Sequence, residues 1–523
     1  MVGSAFGCLL AILALADAAK ILVFNPHFAH SHFVFQNKLA DVLVEEGHNV
    51  TILVPELDTD AIAVHTKADL LIRSQPVDAY NFSGSASGQA IFWQSSNNMM
   101  TFAVMMRNLY LKLNTVCDRL FADAEFAEFM RAQKFELALL EPLDYCGFSY
   151  LKYINVTNYV TASPLAFSDN HGVVMGLPGR RHAVALNTDW DPEMSIWERI
   201  ENFILAYVRT LFIPLPPHWD TLEEKYGIGV SPGQAITEAK YIFVNTEEHM
   251  DYPRPVSHKV VYIGGITIAP GHAEAMTGDI AEVVEASKKV VLVSFGSLAK
   301  SSDMPPAFQQ AFVKLFEANP DITFIWKYEN TSSGMNPAKH LSNVFLSTWV
   351  PQKSILAHPK TIGFVTHGGM NSISEATHHG VPLIVIPLFG DQPRNAKMVR
   401  YRKTAVLINK AEITPSNLIS AMKKIKTREY QKNANDLATV IATKPMSSKD
   451  RFIKYISHAL VLSKKEDFLD IRTRHLHFFR YYDIDLIAGF VLALIGGFYV
   501  LGYVILTFIK LVGSVTGGKA KLA

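Results

Sequence analysis

The chain has 523 residues, of which 49% are apolar and 19% charged, with a formal net charge of +1. That length exceeds what one hydrophobic core supports, so two or more domains are expected, and the composition excludes a disordered or fibrous chain. Near-neutral charge leaves no basic field to neutralise phosphates along a nucleic acid, so no nucleic-acid partner is expected.

The first segment, Met1 to Ala19, is apolar with small residues at Ala14, Ala16 and Ala18. It reads as a secretory signal peptide (1–19), although its amino end lacks Lys or Arg; a buried first strand is the alternative. "KILVFNP" then reads as a buried strand, "SHFVFQNKLADVLVEEGH" as a helix stopped by Gly47, and "NVTILVP" as the next strand. A strand-helix-strand unit implies a parallel sheet. "FELALLEP" and "TNYVTASP" add strands to the same half. Between the two groups, Asn81 to Phe129 is rich in Met and aromatics, a composition that suits either plain core or an adaptable apolar pocket. Pro253, Pro255, Gly264, Gly265 and Pro270 mark a turn-rich passage. The first domain, expected to bind the second substrate that accepts the transferred group, therefore spans 20–265 and a linker 266–280.

A second alternation occupies 281–445. "KVVLVSFGS", "ITFIWKY", "NVFLSTWVPQ", "TIGFVTHGG", "VPLIVIP" and "AVLIN" read as strands, with helical spacing between them. The fold class is thus α/β, with two doubly wound domains in series, and the natural ligand site is the cleft where the strands' carboxyl ends face. Residues 446–485 form a helical return segment and membrane approach. Leu486 to Ile509 carries no charge and is long enough to span a bilayer, with Gly489, Gly496, Gly497 and Gly502 tolerable there. Asp483 and Asp485 precede it and Lys510, Lys519 and Lys521 follow, which puts the tail (510–523) in the cytosol and the body in the lumen. The ending "KAKLA" resembles a dilysine retrieval signal of the endoplasmic reticulum membrane.

Only Cys8, Cys117 and Cys146 occur, so a disulfide framework is excluded and a single Cys117–Cys146 bridge is left open. Asn49, Asn81, Asn155 and Asn330 lie in N-x-[ST] sequons and are expected glycan acceptors, Asn49 the least suited because it abuts a strand. His27, His30 and His32 make H-x-x-H-x-H, but no carboxylate or Cys lies nearby in sequence, so no metal is expected there. "DTD" (Asp58 to Asp60), "DWD" (Asp189 to Asp191) and "DID" (Asp483 to Asp485) are too short to indicate a metal site.

The most informative stretch is Trp349 to Gln392. His367-Gly368-Gly369 follows an apolar strand and precedes a helix that Asn371 or Ser372 could cap and Gly380 stops. The helix amino end offers unpaired N–H groups and partial positive charge, a site for phosphate, and the glycines let it approach. Glu375 suits ribose hydroxyls. The next strand reaches Asp391 and Gln392, an acceptor and an amide suited to a sugar. Trp349 and Gln352 offer a flat ring and an amide for a base. The order base, ribose, phosphate, sugar matches a nucleotide sugar.

W-x-x-Q, H-G-G-x-N-S-x-x-E, Pro387 and the closing D-Q together resemble the signature of the UDP-glycosyltransferases, the membrane-bound UDP-glucuronosyltransferases and their glucosyl-transferring relatives. The similarity runs through signal, linker, "SFGS" and the carboxyl-terminal membrane helix. It implies a GT-B fold: two facing Rossmann-like domains plus one transmembrane helix, the second domain holding the donor. It also implies that Trp349 stacks on uracil and that Gln352 and Glu375 bind ribose. His367, Gly369, Asn371 and Ser372, with Ser297, would hold the diphosphate, and Asp391 and Gln392 would contact the sugar. The family's catalytic base falls on His32. Ser31 as cap would leave His32 in the first helical turn, where the helix dipole keeps the imidazole neutral. The partner acid falls on Glu141 where relatives usually carry Asp, with Asp144 as a substitute.

The expected protein is a lumenal, single-pass type I enzyme of the endoplasmic reticulum. It would move glucuronate or glucose from a UDP-sugar, without cofactor or metal, to a hydroxyl of a small lipophilic acceptor with inversion. Self-association into a homo-oligomer is left open. The alternatives are a UDP-sugar-binding membrane protein with little or no catalysis, prompted by Glu141, or a UDP-glucose-specific glucosyltransferase.

Overall fold

The computed structural model describes residues 18–27, 30–56, 65–74, 92–93, 99–177, 193–200, 204, 218–268, 276–330, 336–462 and 468–519. Most of the signal segment, Asn81, and the "DTD" and "DWD" triplets lie outside these residues. The chain divides into two units, residues 1–470 and 471–523.

The first unit holds two parallel sheets. The first contains β1 (Lys20–Phe24), β2 (Asn49–Glu56), β3 (Asp69–Ser74), β4 (Leu137–Leu140), β5 (Tyr159–Ser163), β6 (Ile242–Val244) and β7 (Val260–Tyr262), in the order β3-β2-β1-β4-β5-β6-β7. The second contains β8 (Val290–Ser294), β9 (Thr323–Lys327), β10 (Val344–Ser347), β11 (Thr361–Thr366), β12 (Leu383–Val385) and β13 (Ala405–Leu407), in the order β10-β9-β8-β11-β12-β13. Every pairing is parallel. The inner strands are covered on both faces, which is why they are near-continuous apolar runs rather than alternating ones; the edge strand β3 is not. In each sheet the strand order reverses at one point: between β1 and β4, and between β8 and β11. Such switch points open a crevice at the strands' carboxyl ends.

Each sheet is sandwiched by two apolar layers. Phe24, Leu140, Phe148 and Tyr150 lie on one face of the first sheet; Ile21, Val23, Leu39 and Phe243 lie on the other. The chain revisits this second face after completing the other sheet. Helix Ser448–Leu462 buries Phe452, Ile456 and Ala459 there. Phe452 meets Phe243 edge-on at 4.9 Å, and Asn158 Nδ2 donates to the Ala459 carbonyl at 3.3 Å. A short piece travels the other way. Phe92 and Trp93 sit in the core of the second sheet, with Phe92 4.3 Å from Phe389 and Trp93 Nε1 donating to the Lys300 carbonyl at 2.9 Å.

Two sequence expectations change at element ends. β12 stops at Val385, so Asp391 and Gln392 do not end a strand; they open helix Gln392–Tyr401 instead. Pro387 and Gly390 (φ +66°) supply the intervening turn. β3 has no counterpart in the sequence reading, because "DLLIRS" shows neither alternation nor a long apolar run. Cys117 and Cys146 are joined, with 5.7 Å between their Cα atoms, tying helix Met99–Ala122 to helix Tyr145–Tyr153.

In the second unit, helix Ile484–Lys519 contains an apolar stretch, Ile484–Ser514, long enough to cross a membrane, with none of it buried against protein. The helix extends past Ile509 through the first ten residues of the expected tail.

Candidate active site

His32 and Glu141 are 109 residues apart and meet at the first switch point, with His32 Nδ1 and Glu141 Oε1 at 2.6 Å. The geometry follows from topology. β1 and β4 are neighbours, Phe24 paired with Leu140, so the helix entered after β1 and the residue after β4 arrive together. Glu141 is 2% exposed. The Glu141 carboxylate thus reaches the His32 ring. Asp144 does not substitute for it: its carboxylate accepts from Cys146 N at 3.0 Å and caps helix Tyr145–Tyr153. Burial, with the Glu141 charge adding, pushes Asp144 up to about 7.

The helix carrying His32 runs His30–Glu45. Ser31 is therefore inside the first turn and is not the cap. His32 remains in that turn, but the expected electrostatics reverse. Burial lowers its pKa; the charge and hydrogen bond of Glu141, with the charge of Asp391, outweigh burial and raise it above the ordinary value. The half-charge of a helix terminus is weaker than two whole carboxylates. That Asp391 acts on His32 also brings a residue of the second half to the base of the first. His27 packs edge-on against Phe33 at 4.6 Å, and burial lowers the pKa of His30.

The second switch point, between β8 and β11, carries most of the residues that the Trp349-to-Gln392 stretch singled out. Ser294 pairs with Thr366, and the two turns that follow hold Ser297 on one side and His367, Gly368 and Gly369 on the other. Gly296 (φ +81°) and Gly369 permit a close approach to His367: a methyl on Gly296 would lie 2.8 Å from Cε1, and one on Gly369 2.7 Å from Nε2. Burial, assisted by the Lys327 charge, drives the His367 pKa down to about 4, so the ring is neutral at physiological pH. Helix Met370–His378 is capped by Gly369, with no side-chain capping bond. Asn371 and Ser372 lie inside the helix rather than at its cap. Its amino-terminal N–H groups therefore lack a side-chain capping acceptor, an end of the kind that can take an anion.

Gln352, Ser372 and Glu375 form one cluster: Gln352 Nε2 donates to Ser372 Oγ at 3.1 Å and to Glu375 Oε2 at 2.7 Å. Burial raises the Glu375 pKa. Trp349 stays 67% exposed, an unusual position for an indole in a well-packed half and the one a stacking platform needs. Asp391 accepts from Asn395 Nδ2 at 2.5 Å. Gln392 is turned inward: its Oε1 accepts from the backbone N–H groups of Leu388 and Phe389 at 2.8 and 3.1 Å, so it shapes the loop bearing Asp391. Arg394 is likewise engaged, its Nη2 donating to the buried Asp251 Oδ1 at 2.5 Å.

Residues 19–517 match the family model described as UDP-glucoronosyl and UDP-glucosyl transferase. The chain belongs to that family. It is a hexosyltransferase that takes a sugar from a UDP-sugar. It is 29% identical to UDP-glucuronosyltransferase 3A1 of Bos taurus, covering 87% of this chain and 87% of the relative. It is 26% identical to UDP-glucuronosyltransferase 2C1 of Oryctolagus cuniculus, covering 88% and 92%. Among solved structures, a kitacinnamycin glycotransferase superposes with a TM-score of 0.60 at 18% identity, over 85% of this chain and 99% of that one. A UDP-glucosyltransferase from Polygonum tinctorium superposes at 0.58 with 15% identity, over 86% and 100%. These last two similarities establish the GT-B fold.

Two residues of this transferase's site carry no motif of their own. Lys327 ends β9, and its Nζ donates to the Gly296 carbonyl at 2.8 Å and stands 5.7 Å from the Trp349 ring centroid. Asn245 follows β6 and bonds across to Asn371. One grouping of metal-ligating type exists among the described residues, Glu247, Glu248 and His249. Lys444 sits 2.6 Å from Glu247 and Arg451 2.7 Å from Glu248, so these carboxylates are already paired with cations. His27, His30 and His32 do not form such a grouping among the described residues.

Proposed function

We propose that the transferase moves glucuronate or glucose, with inversion and without a metal, from its UDP-sugar to a hydroxyl of a small lipophilic acceptor, giving a β-glycoside. The observation that carries the reading is the 2.6 Å contact between His32 Nδ1 and Glu141 Oε1. With Nδ1–H given to the carboxylate, Nε2 is the nitrogen that takes the acceptor's proton. The deprotonating oxygen attacks the anomeric carbon from the face opposite UDP. The bond from that carbon to the β-phosphate oxygen breaks, and UDP leaves with the electron pair. Glu141 stabilises the imidazolium that forms. The uncapped amino end of helix Met370–His378, with neutral His367 as donor, receives the growing negative charge.

Within the donor site, Trp349 stacks on uracil, Gln352 and Glu375 hold ribose, and Ser297, His367, Gly369, Asn371 and Ser372 hold the diphosphate. Asp391 contacts the sugar, and Gln392 acts by positioning its loop. The protein sits in the endoplasmic reticulum membrane by the helix Ile484–Lys519, its body in the lumen.

The test is glycoside formation by membranes carrying the protein, with UDP-glucuronate and UDP-glucose in competition against a phenol panel. Absence of product, or rates unchanged by His32→Ala, overturns the reading. An α-linked product would remove the inversion. Loss of activity on chelation, restored by a divalent cation, would remove the metal-free mechanism. Protease protection of the body in sealed microsomes checks the orientation.

A further inference from the structure

Asn245 closes β6 at its carboxyl end and is 2% exposed. Its backbone N–H donates to the Ser163 carbonyl at 2.9 Å, locking it beside the end of β5. Its side-chain Nδ2 makes two further bonds, to the Pro164 carbonyl at 3.2 Å and to Asn371 Oδ1 at 2.7 Å.

The chemistry of the partners fixes the direction of both amides. A backbone carbonyl accepts and never donates, so the atom of Asn245 that faces Pro164 has to be Nδ2. The remaining N–H of that group is aimed at Asn371. Asn371 answers with its oxygen, so its own NH2 is turned away from Asn245. Asn371 is the second residue of helix Met370–His378, whose amino end has no side-chain cap. An amide turned with NH2 outward adds donors to an anion site; turned the other way it would present an oxygen to phosphate oxygens.

We propose that Asn245, a residue of the acceptor half, is a positioning residue for the donor: through the Pro164–Asn245–Asn371 chain it holds the Asn371 amide with its NH2 toward the diphosphate. The inference rests on the reading of Asn371 as a diphosphate ligand. It means that the donor half completes its grip only when the acceptor half is in contact.

The test uses the full-length chain in detergent, with UDP affinity by calorimetry and steady-state kinetics with donor and acceptor varied separately. Asn245→Asp places a carboxylate against Asn371, which rotates to give it NH2 and shows its oxygen to the diphosphate. UDP Kd and donor KM then rise about 10- to 100-fold, while acceptor KM stays within about twofold. Asn245→Ala removes the chain without adding a buried charge, so it carries the test if the aspartate variant does not fold. Its effect is smaller and vanishes in an Asn371→Ala background, as for two groups acting as one. If Asn371→Ala weakens UDP binding but the Asn245 variants bind normally or add independently, the proposal is wrong and the reading of Asn371 stands. If Asn371→Ala leaves UDP affinity unchanged, that reading fails and the proposal falls with it.

Discussion

The two sheets of the first unit place their working residues at the same topological point and get opposite chemistry from it. At the β1/β4 crevice, an imidazole meets Glu141 and feels Asp391, and its pKa rises. At the β8/β11 crevice, burial and the Lys327 charge drive an imidazole down to about 4. The strand arrangement alone does not choose between these outcomes. The choice is made by what arrives on the neighbouring strand's loop: a carboxylate in one case, glycines and a lysine in the other. In the proposed mechanism the first combination serves as proton acceptor and the second as a neutral donor beside the uncapped helix end.

That contrast can be broken by experiment. The largest effect is expected from His32→Ala, which removes the proposed base and lowers kcat by ~100- to 10,000-fold while UDP affinity, which the proposed function assigns to the other crevice, stays within about twofold; rapid-quench kinetics and calorimetry read the two separately. Next is Phe452→Ala. It empties a buried position under the first sheet and should cost about 3–5 kcal/mol of stability, seen in denaturant melts, with the second sheet's residues untouched. Trp349→Ala should do the converse: UDP binding weakens by about 1–3 kcal/mol, and the pH profile of kcat does not move.

The smallest and sharpest effect concerns pH. General-base activity needs neutral His32, so its acid limb lies above the ordinary histidine value of about 6.5. Glu141→Gln removes the main raising influence and leaves burial, so the limb moves to lower pH as kcat falls. The sign for stability is the opposite of that for activity. A raised folded-state pKa contributes stability that is present below about 6.5 and lost as pH rises through the raised value. If the limb stays in place in the Glu141→Gln enzyme, His32 is not the titrating base.

The Gln352–Ser372–Glu375 cluster and the glycine turn before its helix were legible because these residues are nearly contiguous: Trp349 to Gln392 carries ring, amide, glycine turn, carboxylate and acid in one run. His32 and Glu141 were legible as types but not in their electrostatics. The helix dipole is a local property, whereas the carboxylates come from 109 residues away and from the other half. Ser31 as cap failed because the helix already includes His30, which leaves Ser31 inside the first turn. Asn245 had no signal at all. A lone asparagine after a three-residue strand is ordinary, and its partner lies 126 residues on. Gln392 was read as a sugar ligand from its type, but an amide beside a tight turn finds backbone partners first.

The return of helix Ser448–Leu462 to the first sheet has a consequence for how relatives can be recombined. The halves are not cassettes separable by a single cut, because the first one is finished by residues encoded after the second. A chimaera joined only within residues 266–280 would graft a foreign Phe452, Ile456 and Ala459 beneath its first sheet. A working hybrid needs two junctions, with the second placed ahead of Ser448.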